Sequence, residues 1–193
     1  MKAWLEINGD IVKKSGSLNA FISHDNVIIA NPSEVLAHDD ELRVFIKTNN
    51  KKITDQAYTK ILSNSDVKLE YVIEGSFLTF KTHPILFYNR AKAEIENVFF
   101  VKDKAIIIES YALGREAHGE KFKEGKIRAK TLIYYNSKLL VFDVYRVTGL
   151  SYLNTIGSSG LIGVYRVGDY EVDIEKISIS SEDIYERWSR IVE

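Results

Sequence analysis

An alternation of apolar and polar residues with period two recurs along most of the chain and limits what it can become. ELRVFIK at 41–47 puts Leu42, Val44 and Ile46 on one face, and VKLEYVI at 67–73 does the same with Val67, Leu69, Tyr71 and Ile73. AKAEIEN at 91–97 sets Ala91, Ala93 and Ile95 against Lys92, Glu94 and Glu96. Successive side chains of a strand point to opposite faces, so these stretches read as half-buried strands, and a helix of period 3.6 has no use for them. Tyr134-Tyr135-Asn136-Ser137-Lys138-Leu139 joins two further β-rich runs through a short polar turn, a hairpin signal. The expectation is a mainly β fold of stacked antiparallel or mixed sheets, either a β-sandwich or β-helix-like. The 193 residues suit a single domain over 1–193 that buries its own core.

Two segments break the alternation. In ITDQAYTKILSN, at 53–64, Thr54 stands as a cap and Ala57, Tyr58, Ile61 and Leu62 follow at helical spacing, which predicts one short internal helix. In SSEDIYERWSRIVE, at 180–193, Ser180 or Ser181 caps, Glu182 and Asp183 complement the positive end of the dipole, and Ile184, Trp188 and Ile191 form one stripe. This predicts a C-terminal helix docked by that stripe. GSSGLIG at 157–163 reads as a surface loop or glycine-rich turn, and no internal repeat is visible.

Several chemistries are excluded by residue type. AIIIESYALGREAHGEKFKEGK at 105–126 has Gly114, four residues and Gly119, like a phosphate-binding loop. Such a loop needs lysine and a hydroxyl next, where this chain has Glu120, Lys121 and Phe122; a carboxylate there repels a triphosphate. The following KIRAKTLIYYNSKLLVFDVYRV is hairpin-like rather than helical. Without cysteine there are no disulfides and no thiolate metal sites, and no serine stands in a triad context. Lys plus Arg total 26 against 27 Asp plus Glu, interspersed, so the field that drives nucleic-acid binding is missing. MKAWLEINGDIVKK has no apolar stretch of signal length, and no window approaches the about 20 apolar residues of a membrane span. A soluble cytoplasmic protein, with neither nucleic acid nor membrane as partner, is expected.

The four histidines, His24, His38, His83 and His118, form no local ligand pair. His38-Asp39-Asp40-Glu41 is the densest set of nitrogen and oxygen ligands, and also reads as a solvated turn before a strand. His118 is a metal candidate or a solvated loop residue, and His83, before Pro84, belongs in a connection or strand end. Arg115 and Glu120, framed by Gly114 and Gly119 after an apolar strand, suggest a tight connection held by an ion pair or carboxylate contact. Glu109 and Glu120 are carboxylates that a hydrolase could use, but sequence pairs neither with a partner acid or base. The many tyrosines on strands leave open a β-sandwich module that binds carbohydrate or peptide.

Taken in order, three segments resemble the UreD (UreH) family of urease accessory proteins. Residues 53–64 resemble its Thr-x-Gln-Ala-x-x-Lys segment at Thr54, Gln56, Ala57 and Lys60. FLTFKTHPILFYNR at 77–90 resembles its proline-bearing segment at Pro84, Leu86 and Phe87, and GREAHGEKF carries Gly-Arg-x-x-x-Gly-Glu-x-Phe at Gly114, Arg115, Gly119, Glu120 and Phe122. The tryptophan-bearing terminus is also similar. LAHDDEL stands where the family has a glycine-rich stretch and keeps only Asp40. The resemblance implies a mainly β, non-enzymatic scaffold that binds apo-urease, UreF and the GTPase UreG and offers nickel a protected route. It implies no tightly bound cofactor. Oxygen and nitrogen ligands hold nickel less tightly than thiolates, as a conduit requires, and Glu120, His118, Asp39 and Asp40 are the candidates for transient contact.

Overall fold

The computed structural model describes residues 1–32 and 34–192. β1 (Lys2–Asn8) and β2 (Ile11–Ser15) form a hairpin at one edge of a first sheet, sheet A. The chain then crosses to a second sheet, sheet B, with β3 (Asn19–Ile22), β4 (Asn26–Ala30) and β5 (Val35–Leu36). From there it alternates between the two. β6 (Glu41–Lys47) lies in A, β7 (Lys52–Asp55) and β8 (Thr59–Ile61) in B, and β9 (Asp66–Gly75) in A again. β10 (Leu78–Lys81) and β11 (Ile85–Phe87) follow in B, β12 (Lys92–Val101) in A, and β13 (Ala105–Arg115) in B. After the two-residue β14 (Glu120–Lys121), the hairpin of β15 (Lys126–Tyr135) and β16 (Lys138–Thr148) closes sheet A. A short helix α1 (Tyr152–Thr155) leads to β17 (Gly160–Gly168) and β18 (Glu171–Ile179) of sheet B, and α2 (Ile184–Ser189) ends the chain.

The strands β1, β6, β9, β12 and β15 are parallel neighbours, as are β4, β7, β10 and β13. Leu42 pairs with Leu69 and Val67 with Ala93, so each passage through both sheets brings the chain back beside its own previous turn. The fold is therefore a two-sheet coil of parallel strands, the β-helix-like form of the expected architecture, with antiparallel strands at both ends. A structural repeat exists where none is visible in the sequence. Its residues share only inward apolar character, which any aliphatic side chain satisfies.

The repeat length also drifts. On β13, Ile107 and Leu113 are six apart; their neighbours Phe80 and Phe87 are seven apart, Ile53 and Ile61 eight, and Val27 and Leu36 nine. All eight are core residues, so the ladder is kept on both sides while each strand outward from β13 takes one more residue between them. The surplus forms a crease that divides β10 from β11, β7 from β8 and β4 from β5.

This crease corrects the expected internal helix over 53–64. The segment is β7, a break at Gln56–Tyr58, and β8. Ile61 faces the inter-sheet core while Tyr58 packs outward near Tyr185, so both faces of the sheet are served there and the spacing imitates a helix. GSSGLIG is likewise corrected, since Gly160–Gly163 is the buried start of β17. A Cβ on Gly160 would come within 2.8 Å of the Ile179 carbonyl oxygen. The alternating strands, the hairpin turn at Asn136–Ser137 and the presence of a C-terminal helix agree with expectation, but that helix covers only Ile184–Ser189, with Asp183 rather than Ser180 or Ser181 at its N-cap position. Ile184 and Trp188 of that helix, with Ile191 just beyond its end, cover Leu86, Ile108, Ala112, Ile162 and Val164 on the outer face of sheet B.

Candidate functional site

The GREAHGEKF segment enters the coil as an insertion. Lys92 of β12 pairs with Asp66 on one side and with Lys126 on the other, and the turn from Lys92 to Lys126 is the longer of the two because it carries this loop. β13 ends at Arg115, a 3-10 turn covers Glu116–His118, and Gly119 (φ 74°) reverses the chain and donates its N–H to the Glu116 carbonyl. β14 then returns along β13, pairing Gly114 with Lys121 and Arg115 with Glu120. Gly114 (φ 75°) faces this return so closely that a Cβ would lie 2.7 Å from the Glu120 carbonyl oxygen. Phe122 is fully buried, and Tyr152 donates its hydroxyl to the Phe122 carbonyl at 3.1 Å. The expected carboxylate contact is present. Arg115 Nε stands 3.4 Å from Glu120 Oε2, the Asn89 N–H donates to Glu120 Oε1 at 3.3 Å, and the Arg115 guanidinium lies over the Tyr88 ring.

The remaining sequence candidates are dispersed. His118 and Asp39 are exposed, Gln56 is exposed at the crease, and Lys60 pairs with Glu34 at 3.3 Å. Asp40 accepts from the Ala37 N–H and the Met1 amino group. Burial alone would raise the Asp40 pKa, but these two contacts hold it below the usual value. Pro84 is buried in the crease. Among the described residues no group of three or more His, Asp or Glu is placed to hold one metal ion.

Two clusters escape sequence reasoning. In the crease, His83 Nδ1 is 2.6 Å from Asp55 Oδ1, which also accepts the His83 backbone N–H at 2.7 Å. Trp188 and Tyr185 of α2 pack on the His83 ring, so the pair ties the crease to the helix. Burial raises the Asp55 carboxyl, and the contacts to His83 oppose that shift.

The second cluster lies between the sheets. Glu109, central in β13 and only 5% exposed, accepts from Asn97 Nδ2 at 2.9 Å, Thr131 Oγ1 at 2.7 Å and Tyr111 Oη at 3.2 Å, all on Oε2. Tyr165 Oη lies 2.8 Å from Glu109 Oε1 and 2.5 Å from Asp143 Oδ2. With one proton it donates to one of these at a time. Lys176 donates to Tyr165 at 2.5 Å and pairs with Asp143. Burial, then the Glu109 charge, pushes the Tyr165 phenol far above its ordinary value. A polar track thus runs from the core to the half-open Asp143 and Lys176 on the end strands β16 and β18. The signal for it is a lone carboxylate at an inward position of the apolar run AIIIESYAL, but its partners come from five other strands.

The family model for the UreD urease accessory protein matches residues 21–167, well over half the chain. The chain belongs to the UreD family. The match spans the crease, the GREAHGEKF loop and five of the strands that build the Glu109 track, and it stops before α2 and its tryptophan. No curated protein matches the chain. UreD proteins are urease accessory proteins, so the chain has a place in urease maturation. No described helix is long and apolar enough to cross a membrane.

Proposed function

We propose that the chain is a non-enzymatic cytoplasmic scaffold that binds UreF, UreG and the apo-urease subunits and lends nickel a protected route during maturation of the urease active site. The observation that carries this reading is the intact family motif at Gly114, Arg115, Gly119, Glu120 and Phe122, held as a built loop within the residues that match the family. Glu120 and His118 on this loop, with Asp39 and Asp40 at the start of β6, are the proposed transient nickel contacts, and the Glu109–Asp143 track is its proposed passage inward. Carboxylate and imidazole ligands met one or two at a time favour release of the metal over storage. Metal is the cargo here.

The test is reconstitution of apo-urease activation from purified UreF, UreG, GTP, bicarbonate and nickel. Omission of this chain is expected to lower activation sharply, and UreF is expected to co-purify with it. Equal activation in its absence would reject the proposal.

A further inference from the structure

The outer face of sheet A is open, and its side chains fall into rows across the strands. One row is apolar: Phe45 pairs with Val72, Val72 with Val98, Val98 with Leu132, and Leu132 with Phe142. All are partly exposed, Phe142 by 64%. Neighbouring rows are charged, and most of their charges pair within the face: Arg43 with Glu41 and Glu70, Lys130 with Glu96, Lys47 with Glu74.

At the β15–β16 side the pairing fails. Lys92 stands directly beside Lys126, and Arg128 directly beside Arg146, while each of these like-charge pairs has one carboxylate on its other side, Asp66 beside Lys92 and Glu94 beside Arg128. All four are exposed, and none reaches a carboxylate within 4 Å among the described residues. Like charges directly opposite one another across strands destabilise a sheet. The four line a shallow concavity of about 480 Å³ with Asp66 and Glu94, a surplus of two positive charges. The same two strands continue from this corner to Leu132 and Phe142.

We propose that this side of sheet A docks an acidic segment of a partner protein, with its carboxylates against Lys92, Lys126, Arg128 and Arg146 and its apolar side chains on Leu132 and Phe142. Charge complementarity selects the occupant. A second copy of the same face brings the same surplus of two positive charges to this corner, so it repels rather than complements it. The apolar continuation favours a polypeptide over nucleic acid, whose backbone offers nothing to Phe142. That the partner is a member of the urease maturation assembly rests on the proposed function above.

The test uses the full chain with purified UreF, UreG and apo-urease. A photo-crosslinking p-benzoylphenylalanine replaces Phe142, and the captured peptide is sequenced. An acidic segment with apolar residues from one partner is expected. For that partner, Arg128→Glu/Arg146→Glu is expected to weaken binding about ten-fold at low salt, with the difference shrinking at high salt. Lys14→Glu, on β2 at the opposite edge, should bind like the parent. A cross-link to a second copy or to a basic segment, unchanged affinity in the double variant, or tight binding of a single-stranded oligonucleotide that the double variant loses would each overturn the docking surface while leaving the scaffold role intact. Failure of the parent chain to join any complex would reject both.

Discussion

Gly114 and Gly119 share a φ near 75° but have opposite surroundings, and this separates their roles. A Cβ at Gly119 meets nothing within 4 Å, so Gly119→Ala should cost only the left-handed backbone penalty of about 1 kcal/mol. At Gly114 the same atom would also press on the returning strand, 2.9 Å from the Phe122 nitrogen, and Gly114→Ala should cost at least about 2 kcal/mol. Urea unfolding of the two variants checks the order. Glu120 contributes a half-exposed ion pair worth about 0–1 kcal/mol, so Glu120→Ala should keep its melting temperature within about 3 °C yet lower urease activation. Normal activation by that variant would remove Glu120 from the nickel route. Asp143 has a pH signature. Burial would raise its pKa, but Lys176 and Tyr165 hold it below the ordinary 3.8. A depressed carboxylate stabilises the fold above its unfolded value and loses that contribution as pH falls through the folded one. Asp143→Asn should therefore be less stable than the parent at about pH 7, with the gap narrowing as pH falls below the ordinary 3.8. A gap that persists in acid would contradict the contact.

At the scale of elements, α2 is too short to stand alone and holds its place through Ile184 and Trp188. Trp188→Ala should destabilise the chain by about 3 kcal/mol and release the helix, read as early amide exchange in 184–189. The same element shows what was legible in the sequence. Its stripe of Ile184, Trp188 and Ile191 is local, one face against one sheet, and the strands with a single buried face, such as 41–47 and 91–97, were equally plain. The crease was not. The segment 53–64 serves two buried faces across its extra length, so no single period describes it, and that extra length has meaning only relative to strands a full turn of the coil away. The candidate site divides the same way. The Arg115–Glu120 contact lies within one loop and was expected, whereas Glu109 and His83 acquire their partners through long-range pairing that no local pattern encodes.

Across the whole molecule, the loop that resembles a nucleotide site is a surface insertion in a β coil, without a helix N-terminus to receive a phosphate. Calorimetric titration with GTP or ATP and magnesium should show no binding at micromolar concentrations, the ordinary range of nucleotide sites. Saturable binding lost in Lys121→Ala would overturn this. The antiparallel ends of the coil carry a further consequence, for the order of events during synthesis. Glu109 of β13 pairs with Gly163 of β17, so the strand that covers the β13 edge is made only after the whole β15–β16 hairpin. Parallel strands joined by long connections pair slowly, and a ribosome adds about 5–20 residues per second. For several seconds, then, a growing chain presents one apolar edge of β13 with nothing beside it, a template on which a neighbouring nascent chain can pair before β17 arrives.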